Sequence, residues 1–240
     1  MALPKIDVPV HEVALPISKK VLRYRPFLVK EQKILLMAGE SNDADTIEKA
    51  IRQILQNCCL DEFDVDALSL LDVEFYFLHL RASSVGEMVE NKYRCQNVVN
   101  EQVCDNLMDA NLNIIDLKVT GIEDYNDLIQ LTDNVGVKMV LPKYTLLRKA
   151  RDMVNATDFV FDLIVDCIEY IFEGDQIHYT NQLNREELLE FVDSLNQAQF
   201  AKLQSFFDKI PKLEKKVDVT CNKCGFQHKI EYEGIESFFG

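Results

Sequence analysis

Two pairs of cysteines are the residues of this chain best suited to chemistry. Cys221 and Cys224 are separated by two residues and followed by Gly225. In that arrangement two thiolates point at one ion while the glycine lets backbone amides turn toward sulfur. A structural zinc needs four ligands, and Cys95 and Cys104, in a polar stretch between apolar segments, can supply the other two. Eight residues lie between Cys95 and Cys104, which is long for a knuckle. Three readings stay open: a zinc site shared by Cys95, Cys104, Cys221 and Cys224, another metal arrangement in which His228 replaces one sulfur, or free thiols. The first would join distant segments and add metal-binding energy to folding.

The other cysteines fit a packing role. The chain has seven cysteines, an odd number, and no charged-then-apolar leader. Reduced thiols or metal ligands are therefore expected rather than a disulfide framework. Cys58 and Cys59 fall on an apolar helical stripe, where cysteine behaves as a small hydrophobe.

Catalytic signatures are sparse. The sequence carries no glycine-rich phosphate loop, no zinc-protease histidine pair and no Gly-x-Ser-x-Gly elbow. Ser83 to Gly86 reads as a helix C-terminus. His11, His79, His178 and His228 are scattered, with His79 inside an apolar helix. No pair of carboxylates has spacing that nominates an acid/base couple. A non-enzymatic protein is the expectation.

Charge narrows the partners. Forty acidic against twenty-six basic residues give a net charge of -14. Phosphate binding needs concentrated Lys and Arg, so nucleic acid and anionic membranes are not expected partners. The acidic surface either keeps the chain soluble until it meets its neighbour or is a solvated surface and nothing more. No run of eighteen apolar residues occurs, so a soluble protein that stays in the compartment of its synthesis is expected.

One stretch has contact chemistry. Arg23, Tyr24, Arg25 and Phe27 stand in a basic, aromatic segment of an acidic chain, and those residue types are enriched at interface hot spots. Partner binding and a helix start whose arginines pair with the protein's own acids are both open readings. Phe238 and Phe239 pose the same choice between a partner and the chain's own core.

The elements that must position these groups are legible from spacing. Residues 1–22 hold Pro4, Pro9 and Pro16 and should be extended, as a tail on a partner or an opening strand pair. Helices are expected from Phe27 to Ala38, from the caps at 41–43 through Cys58, and over 68–84. Strands follow at 87–94, 112–119, 127–132 and 137–141. Tyr144 to Met153 should be helical, and Thr157 should cap a helix from Asp158 to Phe172 closed by Gly174. Asn184 with Glu187 forms a capping-box start, and Phe200, Leu203, Phe206 and Phe207 give a further helix ending before Pro211. Strands 216–220 and 228–232 flank the Cys221–Cys224 knuckle.

These elements make an α+β protein of helical layers with small antiparallel β-hairpins and zinc-ribbon-like knuckles. After the extended segment 1–22, the expected parts are an α+β half at 23–120, a connecting hairpin at 121–142 and a second half at 143–240. Each half offers helices and then a hairpin with a cysteine pair at its tip, which suggests an internal duplication. With 48% hydrophobic residues the chain can bury a core without disulfide support.

The segment Arg25-Pro-Phe-Leu-Val-Lys-Glu-Gln-Lys-Ile-Leu-Leu-Met-Ala38 and the later segment from Asp72 to Glu87 resemble, in that order, two signatures of the baseplate hub subunit family of T4-type contractile-tailed bacteriophages. The resemblance is clearest over residues 20–120. It implies a protein made in the infected bacterial cytoplasm that joins other hub and tail proteins in an oligomeric baseplate assembly, with no catalytic residues to carry over. A virus-encoded assembly chaperone that leaves the particle, or a zinc-ribbon adaptor in gene expression, are the alternatives.

Overall fold

The computed structural model describes residues 6–41, 43–146 and 155–233. They form an α+β protein of helices and small antiparallel sheets. Contacts group the chain into two compact units. One comprises Met1–Val65, Leu71–Thr120 and Lys212–Gly240, the other Asp66–Leu70 and Gly121–Pro211. Residues 212–240 are thus grouped with 71–120 rather than with 121–211.

The first unit opens with β1 (His11–Ala14) and β2 (Val21–Tyr24), paired antiparallel from His11↔Tyr24 to Ala14↔Val21. The proline-rich N-terminal stretch therefore leads into a strand pair. Alternation buries Val13, Leu22 and Tyr24 on one side of the pair. The turn beyond β1 is held by Asp72, whose carboxylate accepts from the backbone amides of Ile17 at 2.8 Å and Ser18 at 2.9 Å.

Helix α1 (Val29–Ser41) and helix α2 (Ala44–Cys58) come next. Asp43 caps α2 by accepting from the Thr46 amide. The spacing of Ile51, Ile54, Leu55 and Cys58 places all four in the core. Helix α3 (Leu70–Val85) is buried on several sides, through Leu71, Val73, Tyr76, Phe77, Leu78 and Leu80. The Tyr76 hydroxyl donates to the Leu55 carbonyl at 3.3 Å, and its ring meets Tyr24 edge-on at 5.5 Å.

After α3 the chain runs out and back through three short ladders. β3 (Met88–Val89) pairs with β8 (Leu112–Asn113), β4 (Lys92–Arg94) with β7 (Leu107–Asp109), and β5 (Val98–Val99) with β6 (Gln102–Val103). The strand expected over 87–94 is broken at Asn91, whose carbonyl instead accepts from the Ala110 amide at 2.7 Å. The strand expected over 112–119 is interrupted by a single turn at Ile114–Asp116. Asn113 caps that turn by accepting from the Ile115 amide. The chain then enters β9 (Lys118–Thr120).

β9 pairs with β14 (Lys212–Thr220), and β14 with β15 (Gln227–Glu233), in a three-stranded antiparallel sheet. Leu71, Leu78 and Ala82 of α3 share a core with Val89, Leu112, Ile114, Leu117, Leu213 and Tyr232. The sheet that carries the second cysteine pair is therefore seated on the hydrophobic core of this unit.

The second unit is built on a four-stranded antiparallel sheet in the order β10 (Leu128–Gln130), β11 (Val135–Met139), β12 (Ile168–Glu173), β13 (Gln176–Tyr179). Helix α4 (Ala156–Asp166) ends well short of Phe172, which corrects the expected Asp158–Phe172 helix. The segment Ile168–Glu173 mixes β-branched and aromatic residues and is paired on both sides, with β11 and β13. Strand pairing therefore outweighs continued helical spacing. The α4 cap is Asn155, which accepts from the Thr157 amide at 2.9 Å.

Helix α5 (Arg185–Asp193) begins with the expected Asn184–Glu187 capping box, and helix α6 (Gln197–Asp208) with a second one from Asn196 and Gln199. Arg185 bonds Asp162 and Asp166 on α4. The expected Tyr144–Met153 helix lies largely outside the described residues, as do Phe238 and Phe239. Among the described residues no helix is long and apolar enough to cross a membrane.

Candidate metal centre

The first cysteine pair is made by the outer part of the long hairpin. Cys95 follows β4 and Cys104 follows β6. Between them β5 and β6 turn back through Asn100 and Glu101, both left-handed at φ 51° and 64°. That geometry fits a two-residue hairpin turn, with Asn at its first position. The Cys104 amide donates to the Asn97 carbonyl at 2.8 Å, and the Cys95 amide to the Asn106 carbonyl at 2.9 Å. The eight intervening residues are thus folded away as a small hairpin, and the spacing that looked long returns both sulfurs to one place.

The second pair sits at the turn between β14 and β15. The Gly225 amide donates to the Cys221 carbonyl at 2.8 Å, the Cys221 amide to the Phe226 carbonyl at 2.9 Å, and Gly225 has φ 74°. A side chain at Gly225 would meet the left-handed backbone penalty.

All four sulfurs lie within 4.8 Å of one another. Cys95 Sγ is 3.6 Å from Cys224 Sγ, and Cys104 Sγ is 3.8 Å from Cys221 Sγ. Thiolates bound tetrahedrally at about 2.3 Å from zinc stand about 3.8 Å apart, so the two shortest separations are close to the edges of such a tetrahedron. They are far beyond the ~2.05 Å of a disulfide. Three of the sulfurs belong to buried residues and Cys224 is half-buried.

The surroundings favour thiolate on one pair and thiol on the other. Burial works against ionised Cys221, yet the amides of Cys224 and Lys223 donate toward its sulfur and bring it down to about 6. The Phe226 amide holds Cys224 below the ordinary thiol value. Burial pushes Cys95 up to about 12 and raises Cys104 as well. A divalent cation reverses the second pair of shifts, because coordination removes thiol protons and offsets repulsion between sulfurs. The donor set therefore fits a metal ion.

Polar groups around the sulfurs complete the cluster. His228 is buried, with Nε2 3.1 Å from Cys95 Sγ and its ring 4.8 Å from Phe226 and 5.3 Å from Tyr93. It stands beside the four sulfurs rather than replacing one. Asn97 Nδ2 donates to Cys224 Sγ and Asn106 Nδ2 to Cys221 Sγ, each at 3.6 Å. Lys223 Nζ donates to the Cys104 carbonyl at 3.1 Å. The asparagines went unnoticed in the sequence, although a repeated pattern marks them: Cys95-Gln-Asn97 and Cys104-Asp-Asn106.

The contact stretch divides between inside and outside. Tyr24 is buried, and its hydroxyl donates to the His79 carbonyl at 3.3 Å. Arg25 reaches the buried carboxylate of Glu31 at 3.0 Å and the Asn57 carbonyl at 3.1 Å. The Leu28 amide also donates to Glu31, at 2.8 Å. Burial disfavours the Glu31 charge, but Arg25 and the Leu28 amide outweigh it and hold the carboxyl below its usual range. Arg23 grips Asp61 through Nε and Nη2 at the surface. Phe27 is half-buried.

Comparison with known proteins gives one positive result. The family model described as T4 bacteriophage base plate protein matches residues 8–240. No curated protein and no solved structure matches the chain.

Proposed function

The chain belongs to the T4 bacteriophage base plate protein family, and from that premise we propose that it is a structural component of the central hub of a contractile tail baseplate. It binds other hub and tail proteins during assembly in the infected cytoplasm, remains in the virion and turns over no substrate. The observation that carries this reading is the family match across nearly the whole chain.

In this reading the four cysteines hold one structural zinc. The ion joins the hairpin after α3 to the β14–β15 turn, across sequence separations of 129 residues for Cys95–Cys224 and 117 for Cys104–Cys221. Closing so long a loop limits the freedom of the unfolded chain, which adds to the direct binding energy of the ion. Residues 121–211 then leave and re-enter the first unit between fastened ends. Partner contact falls to exposed Arg23 and half-buried Phe27 of the basic stretch, and to Phe238 and Phe239. Tyr24 and Arg25 support them from inside.

Protein composition of purified mature tails tests the role. A fixed copy number per tail is expected. Presence in assembly intermediates with absence from finished tails would instead support a departing chaperone. Nucleic-acid binding at modest salt by the zinc-loaded chain would favour the adaptor alternative. Elemental analysis of the reduced protein tests the ion separately, with about one zinc per chain expected.

A further inference from the structure

Helix α1 carries an apolar face turned to solvent. Val29 is 81% exposed, Leu36 61% and Met37 60%, the largest values for large apolar side chains in any helix among the described residues. The opposite side of the helix is anchored, since Glu31 and Ala38 are buried. Val29, Lys33, Leu36, Met37 and Glu40 recur at helical spacing and form one stripe. Lys33 and Glu40 are exposed and make no ion pair among the described residues.

The order of charges along this stripe is self-complementary. Lys33 stands before the Leu36–Met37 centre and Glu40 after it, seven residues or about 10 Å apart along the axis. Two such helices laid antiparallel about a twofold axis between Leu36 and Met37 bring Leu36 of each copy onto Met37 of the other. The same operation sets Lys33 of each copy opposite Glu40 of the other, so both charges are matched twice. Elsewhere two copies of a chain with net charge -14 repel each other, whereas this stripe carries one charge of each sign.

We propose that the exposed face of α1 is a self-docking surface through which two copies of the chain pair as antiparallel helices about a twofold axis. The pairing is independent of the metal centre and goes beyond the hub reading. The thirteen residues of α1 span about 20 Å. Their face covers less than the ~800 Å² per partner of a standard stable interface. The isolated chain therefore pairs weakly, at roughly 100 μM and above, and more firmly wherever an assembly holds copies close together.

Sedimentation velocity of the full reduced chain, diluted from about 1 mM, provides the test. A dimer is expected at the high end and a monomer at the low end. Leu36→Glu should weaken pairing about tenfold or more, and Lys33→Glu severalfold, while Lys33→Glu combined with Glu40→Lys should recover it. Lys33, Leu36, Met37 and Glu40 are all exposed, so circular dichroism of the variants should match the parent. A monomer at every concentration, a dimer indifferent to Leu36→Glu, or no recovery in the double swap would overturn the pairing. A monomer whose Leu36→Glu variant loses another baseplate protein would assign the face to that protein and overturn the second-copy assignment. The sedimentation readouts use the isolated chain and depend neither on zinc nor on tail proteins, so failure there is distinct from failure of the hub reading.

Discussion

Replacing Arg25 with alanine separates an internal strut from a contact residue. The Glu31 side chain is fully buried, and the Arg25 side chain keeps only 16% of its exposure. Removing the guanidinium leaves the carboxylate with the Leu28 amide and Lys30, whose Nζ is 3.4 Å away but largely exposed. Breaking a buried pair from one side costs about 3–5 kcal/mol, and the partial exposure of Arg25 points to about 3. With a urea slope of about 2–3 kcal/mol/M for a chain of this size, the unfolding midpoint should fall by about 1 M.

The paired variant Arg25→Ala/Glu31→Gln should recover part of that loss, because no uncompensated charge remains. The pH dependence has a definite sign. A carboxyl whose folded value lies below its unfolded value adds stability above the unfolded value and loses it as pH falls through the folded one. The stability gap between the parent and Glu31→Gln should therefore shrink on acidification below about pH 4.5. Circular dichroism in urea at several pH values reads all three effects. An Arg25→Ala protein as stable as the parent but unable to join its partners would refute the strut and return Arg25 to the interface.

Two further substitutions probe the packing. A Cβ at Gly136 would collide with the Phe172 ring and lie 2.8 Å from the Ile129 carbonyl oxygen. Gly136→Ala should therefore cost about 2 kcal/mol or more. Adding Phe172→Leu should relieve only the ring part, as read by thermal melts. Asp72→Ala removes the acceptor for the Ile17 and Ser18 amides, at about 1–3 kcal/mol. Hydrogen exchange at those two amides should rise well above that of β2, and unchanged protection would show that the turn is held by other contacts.

The parts of the fold governed by local chemistry were legible in the sequence. Asn184 with Glu187, Asp43 before α2 and Gly225 after Cys224 each act through neighbours a few residues away, and their patterns are short enough to read. The four cysteines were legible as two pairs for the same reason. What escaped depends on distant partners. Ile168–Glu173 continues the apolar spacing of α4, and its conversion to a strand comes from flanking by β11 and β13. The hairpin inside the first cysteine pair was missed because Asn100 and Glu101 are an unusual dipeptide for two left-handed residues. His228 and the two asparagines acquire meaning only when sulfurs more than a hundred residues away arrive beside them. Nothing in its spacing singled out Glu31 in the first turn of α1, and its burial goes with Arg25 reaching back to it.

The most direct test is native mass spectrometry of a tagged copy drawn from infected cells, with the reduced Cys221→Ser variant measured beside it. A complex with other baseplate proteins in fixed ratio is expected, its chain heavier by the mass of one zinc. The variant should lack that increment and melt at least about 5 °C lower. A lone chain without metal, melting at the same temperature as the variant, would contradict both the hub role and the zinc clamp.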